Sequence, residues 1–505
     1  MNEKTVIDFL NLQNPWWADT RKFPFKKINE FKRRDYYYLV HRLLEVEEAI
    51  VIIGQRGVGK STAMYEIIRK LLGFSDKLGS PIDLSSVDIS ALTNSSPVDS
   101  KQILYVTFEE SNLQKLKILD VLKIFTKYIL KKDLSQLDEK LYVFFDEIQN
   151  VEDWGTQIKI IQDLKYPIKL FVTGSSSVRM ADEASKATRR VNVYSMHPLK
   201  FSDFLLYYIR DQTFERILQD AINLRTDLIQ AISEKNSKLI YELFLKLYSD
   251  LHSWQTQIEI YFQEYLIKGG YPGLLGEKDY LACSTTLGNA FWLGFHKDIV
   301  LSQGIGDPRG MKALAEYISS ISSNETNYTS LMEKSGGVGS NTDGLKKYLY
   351  HLEKMFLVSL SNPFSSSPTR RGSRFKIYLH DVAIRNMLQG MMNELLLNNQ
   401  EECGIALETL VFDHLVRLYY KLRPNLPLLY WRDQKTNREV DIIAKLNGHS
   451  IAIEVKKADS PHLSDVSGLR LFCKKSEVGL VLCGKKIDVT DNIVFLPHWL
   501  FMLIC

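Results

Sequence analysis

The sequence predicts an α/β protein: a parallel sheet covered by helices, then a helical region, then a small second α/β domain. Three observations predict it. Between Val46 and Leu205 the apolar runs AIVIIG, ILYVTF, LYVFFD and IKLFVTG alternate with helical patterns, as strands buried on both faces do. Residues 310–360 then read as successive helices. From about Gly404 a helix leads into REVDIIAKLNGHSIAIEVKKA, two apolar strands around an Asn-Gly turn. At 505 residues the chain is too long for one ordinary core, so several domains are expected.

Composition narrows the class. An apolar fraction of 45% and a charged fraction of 25% are those of a soluble globular protein. A net charge of +4 allows a local basic surface without demanding nucleic acid. Cys283, Cys403, Cys473, Cys483 and Cys505 form no C-x-x-C pair. That argues against a zinc ribbon or disulfide framework and for a reduced, cytoplasmic setting. The start, MNEKTVIDFLNLQNPWW, lacks a basic stretch followed by an apolar run, so no signal peptide is expected. The apolar tail IVFLPHWLFMLIC is broken by Pro497 and His498 and is too short to span a bilayer, so no membrane partner is expected.

In chain order, residues 1–45 read as an aromatic and basic arm containing NPWW and FKRRDYYYLVHRLL. Residues 46–205 hold the alternating strands and helices. Between the first two strands, LGSPIDLSSVDISALTNSSPVDS reads as a surface insertion. Residues 206–262 are helical, a lid or connector. In YLIKGGYPGLL a Gly/Pro turn opens the region 263–395, which ends near a basic loop, SPTRRGSRFK, that suits a β-wing. Residues 400–505 carry the helix, the hairpin and a further strand, EVGLVLCG.

The stretch GQRGVGKST (Gly54, Gln55, Arg56, Gly57, Val58, Gly59, Lys60, Ser61, Thr62) contains G-x-x-x-x-G-K-[ST] between an apolar strand and a helix. That is the context of a phosphate-binding P-loop. Its glycines let the backbone aim N–H groups at the phosphates of ATP, Lys60 reaches the β- and γ-phosphates, and Ser61 contacts Mg²⁺. LYVFFDEIQN ends a buried strand on Asp146, which would hold the Mg²⁺ shell, and Glu147, which would orient or deprotonate the attacking water. Lys60 and Glu147 are thus the candidate catalytic residues of ATP hydrolysis. In FVTGSSS, Thr173, Ser175 and Ser176 are candidate sensors of the γ-phosphate, Ser175 first; an ordinary Ser-rich turn would read the same.

In the hairpin, a two-residue Asn447-Gly448 turn pairs Leu446 with His449, hence Asp441 with Glu454 and Glu439 with Lys456. Alternation puts Val440, Ile442, Ala444, Ile451, Ile453 and Val455 on a core face, and Glu439, Asp441, Glu454 and Lys456 on the other. Carboxylates facing each other across a ladder, about 4.5–5.5 Å apart at Cβ, repel unless a cation joins them. Mg²⁺ or Mn²⁺ held by Asp441 and Glu454 would relieve the repulsion, and Lys456 would stabilise a developing phosphorane or orient water. A solvated charged face is the alternative. Arg370, Arg371, Arg374 and Lys376 in the basic loop have no acid among them and suit the phosphates of DNA, or plain solvation. Residues 339–358 put Leu345, Tyr348, Leu349, Leu352 and Phe356 on one helix face and Lys346, Lys347 and Lys354 elsewhere, which fits a recognition helix or any bundle helix.

Taken in order, these motifs resemble those of the prokaryotic AAA+-like P-loop ATPases that carry a C-terminal winged-helix region and a PD-(D/E)xK restriction-endonuclease-like domain. NPWW, GQRGVGKS, DEIQN, VTGSSS, RRVNVYSMHPLKFSDFL, GGYPG, KIYLHD and the EVD…IEVK hairpin carry the resemblance and sample nearly the whole chain. It implies a P-loop NTPase sheet, a DNA-binding winged helix and a nuclease-like domain. It implies that Arg190 lies close to the nucleotide, its own or that of a neighbour in a homo-oligomer, although Arg189 stands where the family commonly has glycine. It also implies an acid from an earlier helix, for which Glu408 in GIALETLVFDHLVRLYY is the candidate, completing a catalytic set with Asp441, Glu454 and Lys456. Two functions follow. One couples ATP hydrolysis to DNA binding and metal-dependent DNA cleavage; the other is an ATP-dependent binding switch with an inactive nuclease-like domain.

Overall fold

The apolar runs between Val46 and Leu205 form strands β1 (Ala49–Ile53), β2 (Ile103–Thr107), β3 (Leu141–Asp146) and β4 (Ile168–Gly174), and Val191–Ser195 adds β5. They make one sheet in the order β2-β3-β4-β1-β5, with every pairing parallel. The computed structural model describes residues 2–27, 43–74, 97–110, 112–175, 177–296, 307–336, 338, 341–364, 374–422, 427–446, 449–474 and 477–505. Two compact units divide the chain, Met1–His197 and Pro198–Cys505. Among the described residues no helix is long and apolar enough to cross a membrane.

In the first unit, helices α1 (Glu3–Gln13), α2 (Lys60–Leu71), α3 (Ile118–Phe125), α4 (Trp154–Asp163) and α5 (Ser177–Lys186) flank the sheet. β1 and β4 are buried along their whole length, which fits the apolar AIVII of β1 and the Ile168, Leu170, Phe171 and Val172 of β4. With β4 between β1 and the acid-bearing β3, this is the fold of a P-loop NTPase. Much of FKRRDYYYLVHRLL and of the expected insertion lies outside the described residues. NPWW closes the edge of the sheet. The Asn14 amide accepts from Tyr105 N at 2.6 Å and donates to Tyr105 O at 2.8 Å, as a neighbouring strand would. The indoles of Trp16 and Trp17 both donate to Ile103 O, at 3.3 and 2.8 Å. An uncovered edge strand invites unwanted pairing, and this one is covered.

The second unit holds β6 (Glu325–Asn327), β7 (Val358–Pro363), β8 (Arg374–Leu379), β9 (Leu429–Arg432), β10 (Glu439–Leu446), β11 (His449–Val455), β12 (Val478–Cys483), β13 (Asp488–Thr490) and β14 (Ile493–Pro497). One sheet contains them all, in the order β13-β14-β12-β11-β10-β9-β7-β8-β6. Parallel pairing of β7 with β9 joins its two halves, Asn362 facing Leu429 and Pro363 facing Tyr430. Helices α6 (Phe201–Tyr208), α7 (Gln212–Ser233), α8 (Ser237–Asp250), α9 (Gln255–Lys268) and α10 (Tyr280–Phe295) precede the sheet. Then come α11 (Pro308–Ser320), α12 (Tyr328–Lys334), α13 (Thr342–Lys354), α14 (Val382–Leu388), α15 (Gln400–Leu422), α16 (Ser467–Cys473) and α17 (His498–Ile504).

The hairpin has the expected register, from Leu446 opposite His449 to Ile442 opposite Ile453, while its Asn447-Gly448 tip lies outside the described residues. Ile442, Ala444, Ile451 and Ile453 are buried as expected, but the opposite face is buried too. Ile443 and Ala452, on the side assigned to charges, are fully buried in a cluster with Val466, Leu469 and Cys473. Val440 joins that cluster because the pairing of β10 with β9 shifts register between Val440 and Ile443. α16 covers one side of the hairpin, so only its end is left for charged groups.

GGYPG and KIYLHD meet in a buried polar junction with α15. Gly270 N donates to Asp381 Oδ2 at 3.1 Å, and a Cβ on Gly270 would lie 2.0 Å from Leu199 O, so glycine alone fits. Arg417 donates to Asp381 Oδ2 (3.1 Å), to Asp413, and to the carbonyls of Pro198 (2.9 Å) and Leu199 (3.1 Å). Burial alone would push the Asp413 carboxyl up, but Arg417 and His380 outweigh it and hold it ionised. Charges this deep persist only when paired.

Candidate functional site

Strand β1 runs into residues 54–59, and Lys60 opens α2. Gly57 and Gly59 sit at φ 78° and 95°, left-handed backbone that glycine adopts without strain. A Cβ on Gly54 would meet Met196 O at 2.1 Å. The buried ammonium of Lys60 donates to Gly54 O (2.9 Å) and Gln55 O (2.8 Å), curling the loop over the start of α2, where the helix dipole favours an anion.

The buried carboxylate of Asp146 ends β3. Its Oδ2 accepts from the Tyr105 hydroxyl (2.8 Å), and its Oδ1 from Glu147 N (3.1 Å) and from the Thr173 hydroxyl. Burial, then the charge of Asp146, drives the Tyr105 phenol pKa far above its usual value, so Tyr105 remains a donor. Glu147 stands at φ 53°, in a conformation uncommon for a residue with a side chain. Its Oε2 accepts from Ser175 Oγ at 3.2 Å and from Gln149 Nε2, and Gln149 also donates to Ser175 Oγ at 3.0 Å. Thr173 therefore orients Asp146 and Ser175 orients Glu147, while Ser176 lies outside the described residues. No sequence motif marks Gln149; the available signal is a polar residue in DEIQN on the turn directly after Glu147. The Ser61 hydroxyl and the Asp146 carboxylate are hard oxygen donors of the kind Mg²⁺ takes.

In the second unit the predicted acids converge: Glu408 from α15, Asp441 from β10, and Glu454 with Lys456 from the end of β11. Glu454 Oε1 pairs with Lys456 Nζ at 2.7 Å, and its buried Oε2 has no hydrogen-bond partner. Asp441 Oδ2 accepts from Val455 N at 2.8 Å. Glu408 Oε1 accepts from the Tyr378 hydroxyl (2.8 Å) and from Lys376 Nζ (3.1 Å). Burial, reinforced by Asp441, raises the Glu454 pKa to about 8 against the pull of Lys456. Burial likewise raises Glu408 to about 7, against Lys376.

The basic loop is corrected here. Lys376, expected on an exposed wing, is 2% exposed and lies inside the acid pocket, with Nζ 2.6 Å from Glu439 Oε1 and 3.9 Å from Asp441 Oδ1. The cause is the β7–β9 pairing, which makes β8 an inner part of a continuous sheet. Burial disfavours its charged form, yet Glu408, Asp441 and Glu439 outweigh that and hold its pKa well above the ordinary lysine value. Arg374 is exposed and pairs with Glu325 at 2.8 Å, and Arg370 and Arg371 lie outside the described residues. Among the described residues no group of three or more His, Cys, Asp or Glu side chains is arranged to hold a metal ion. The expected Mg²⁺ or Mn²⁺ ligands Asp441 and Glu454 have ammonium neighbours, Lys376 at 3.9 Å from Asp441 and Lys456 at 2.7 Å from Glu454.

Against this geometry, the family model described as an AAA domain matches residues 46–205. The first unit carries an AAA-type P-loop ATPase domain. Two further models, each described as a domain of unknown function, match residues 259–395 (DUF8612) and 403–501 (DUF4143). An uncharacterized protein of Methanocaldococcus jannaschii is 24% identical over 470 residues, 90% of this chain and 88% of that protein. An uncharacterized protein of Haemophilus influenzae is 21% identical over 415 residues, 80% and 87% of the two chains. Among solved structures, a Walker-type ATPase of Pyrococcus abyssi is similar at TM-score 0.35 and 13% identity, over 71% of this chain and 96% of that one. An Orc1 protein of Aeropyrum pernix in complex with DNA is similar at TM-score 0.28 and 12% identity, over 75% and 96%. At such scores neither bears on function.

Within the ATPase domain, Arg190 is a correction. It directly precedes β5, and β5 runs parallel to β1 with Ala49 opposite Val191 and Ile53 opposite Ser195. The P-loop follows Ile53, so Arg190 lies at the other end of the sheet, roughly 15 Å away at ~3.3 Å per strand residue. There it pairs with Asp163 at 2.7 Å. It does not reach the phosphates bound by its own chain.

Proposed function

We propose that this protein is an ATP-driven DNA-binding switch whose nuclease-like domain does not cut. In the ATPase domain, Lys60 and the loop N–H groups bind the phosphates, Ser61 and Asp146 would hold Mg²⁺, and Glu147 orients the attacking water. Mg²⁺ held by Ser61 and Asp146 would offset the negative charge of the phosphates. Ser175 and Gln149 fix the Glu147 carboxylate, and Tyr105 and Thr173 fix Asp146, so both acids are oriented before nucleotide arrives.

The DNA reading is carried by the outer face of α13. The succession α11, β6, α12, α13, β7, β8, with β6 and β7 both antiparallel to β8, is the order of a winged helix. Leu345, Leu349 and Leu352 are buried, while Lys346, Lys347, Tyr350 and Lys354 are exposed along the helix. Three ammonium groups flanking a tyrosine suit a phosphate backbone with an adjoining base or sugar. The inactive nuclease-like domain is favoured over a cutting one by the place of Lys376 among Glu408, Glu439 and Asp441.

The test is binding of a labelled duplex by the full chain with ATP, with ADP and without nucleotide, across salt concentrations. Lys346→Ala plus Lys347→Ala should weaken binding and flatten the log–log salt slope by about 0.9 per lost phosphate contact. A slope unchanged in the double variant removes the DNA role of α13. Affinity equal with ATP and ADP removes the switch. Duplex cleaved in Mn²⁺ by wild type and left intact by Asp441→Ala restores the cutting function.

A further inference from the structure

The acid pocket of the second unit gathers side chains from both halves of the sheet. Glu408, Glu439 and Asp441 belong to α15 and β10, but the cation among them, Lys376, comes from β8 on the far side of the β7–β9 junction. Its ammonium lies 3.1 Å from Glu408, 2.6 Å from Glu439 and 3.9 Å from Asp441, all measured to carboxylate oxygens. It also stands 5.6 Å from the centre of the Tyr430 ring, a favourable place for a cation. The neighbours keep it there: Glu439 is held on its other oxygen by Arg432 (3.5 Å), Arg432 by Glu325 (3.6 Å), and Glu325 by the Tyr430 hydroxyl (2.9 Å).

We propose that Lys376 is a tethered counter-cation that takes, between Glu408 and Asp441, the place a divalent metal ion would occupy. The inference rests on the nuclease-like reading of residues 400–505 and adds a residue from outside them. An ion bound to the same oxygens would be pressed against the ammonium, and like charges at contact distance inside a protein repel strongly. Metal and Lys376 therefore exclude each other. Glu454 fits this arrangement: one oxygen is paired with Lys456 and the other is buried without a partner, an acid prepared for a cation that Lys376 keeps out.

Mn²⁺ is the probe, titrated without nucleotide into the full chain and read from the paramagnetic resonance of the free ion and from the thermal midpoint. Wild type should show no Mn²⁺ site that Asp441→Asn removes. Lys376→Met should gain one, at least tenfold tighter, lost again on adding Asp441→Asn, whereas Lys376→Arg should behave as wild type. A wild-type site that Asp441→Asn removes and Lys376→Met leaves within threefold overturns the counter-cation and leaves the nuclease-like metal pocket standing. Folded wild type and Lys376→Met both lacking an Asp441-dependent site overturn the counter-cation and the nuclease-like metal pocket together. If Lys376→Met melts without metal, recovery of its transition by Mn²⁺, and not by NaCl of equal ionic strength, supports the proposal. No recovery overturns it.

Discussion

Replacing Asn14 by alanine tests whether a side chain closes the edge of the ATPase sheet. The buried amide makes three hydrogen bonds: from Tyr105 N (2.6 Å), to Tyr105 O (2.8 Å) and to Leu10 O (2.7 Å). Each contributes about 1 kcal/mol net, so the loss is about 3 kcal/mol where water replaces the amide, and more where it does not. Trp16 and Trp17 still anchor the segment to Ile103 O, which confines the effect to the β2 edge. An opening equilibrium shifted by about 3 kcal/mol changes roughly a hundredfold. Amide hydrogen exchange of the full chain should therefore quicken about a hundredfold in a peptide covering 103–107, with 168–174 in β4 as internal control. Because Tyr105 also orients Asp146, ATP turnover should fall while nucleotide binding persists. Exchange at 103–107 within threefold of wild type refutes the edge clamp, and equal acceleration in β4 would mean general destabilisation instead.

Glu147→Gln should bind ATP yet lower turnover by two orders of magnitude or more, and Ser175→Ala, which removes one of the two hydrogen bonds holding the Glu147 carboxylate, should lower it about tenfold at unchanged ATP affinity; steady-state turnover with a binding titration checks both. Arg190→Ala should leave turnover within about twofold, and a larger loss would place Arg190 at a neighbour's nucleotide. Gly270→Ala should destabilise the second unit by about 3 kcal/mol, read by urea unfolding, since its Cβ would meet Leu199 O at 2.0 Å. His498 is buried, and burial lowers its pKa to about 4. Below pH 6.5 the unfolded chain binds the proton that the folded chain refuses, so stability from this group is lost as pH falls through that window. His498→Phe, which keeps the stacking on Phe262, should lose less stability than wild type between pH 7 and pH 5, by about 2 kcal/mol. Parallel pH profiles would refute it.

The phosphate loop, Asp146 and Glu147 were legible because each depends on contiguous residues: a buried strand, a glycine turn, a helix, and acids at a strand end. Asp441 and Glu454 were legible because an Asn-Gly turn sets the register on both sides of it. The register shift beside Val440 and the burial of Ile443 and Ala452 were not, since they depend on β9 and α16, which the hairpin's own alternation does not describe. Gln149 was missed for a related reason: a glutamine after two acids looks like any polar turn residue until the C-terminal end of β4 is placed beside it.

By itself the sequence determined the elements and the local chemistry: apolar runs that must be strands, a loop that must bind phosphate, a hairpin that must bring acids together. Local sterics and side-chain periodicity act over a few residues, so they are written in order along the chain. Strand direction and strand neighbours are set by packing between distant segments. Only the tertiary structure sent Arg190 to the opposite end of the sheet from the phosphates, and only the pairing of β7 with β9 turned Lys376 from a wing cation into the counter-charge of a buried acid pocket.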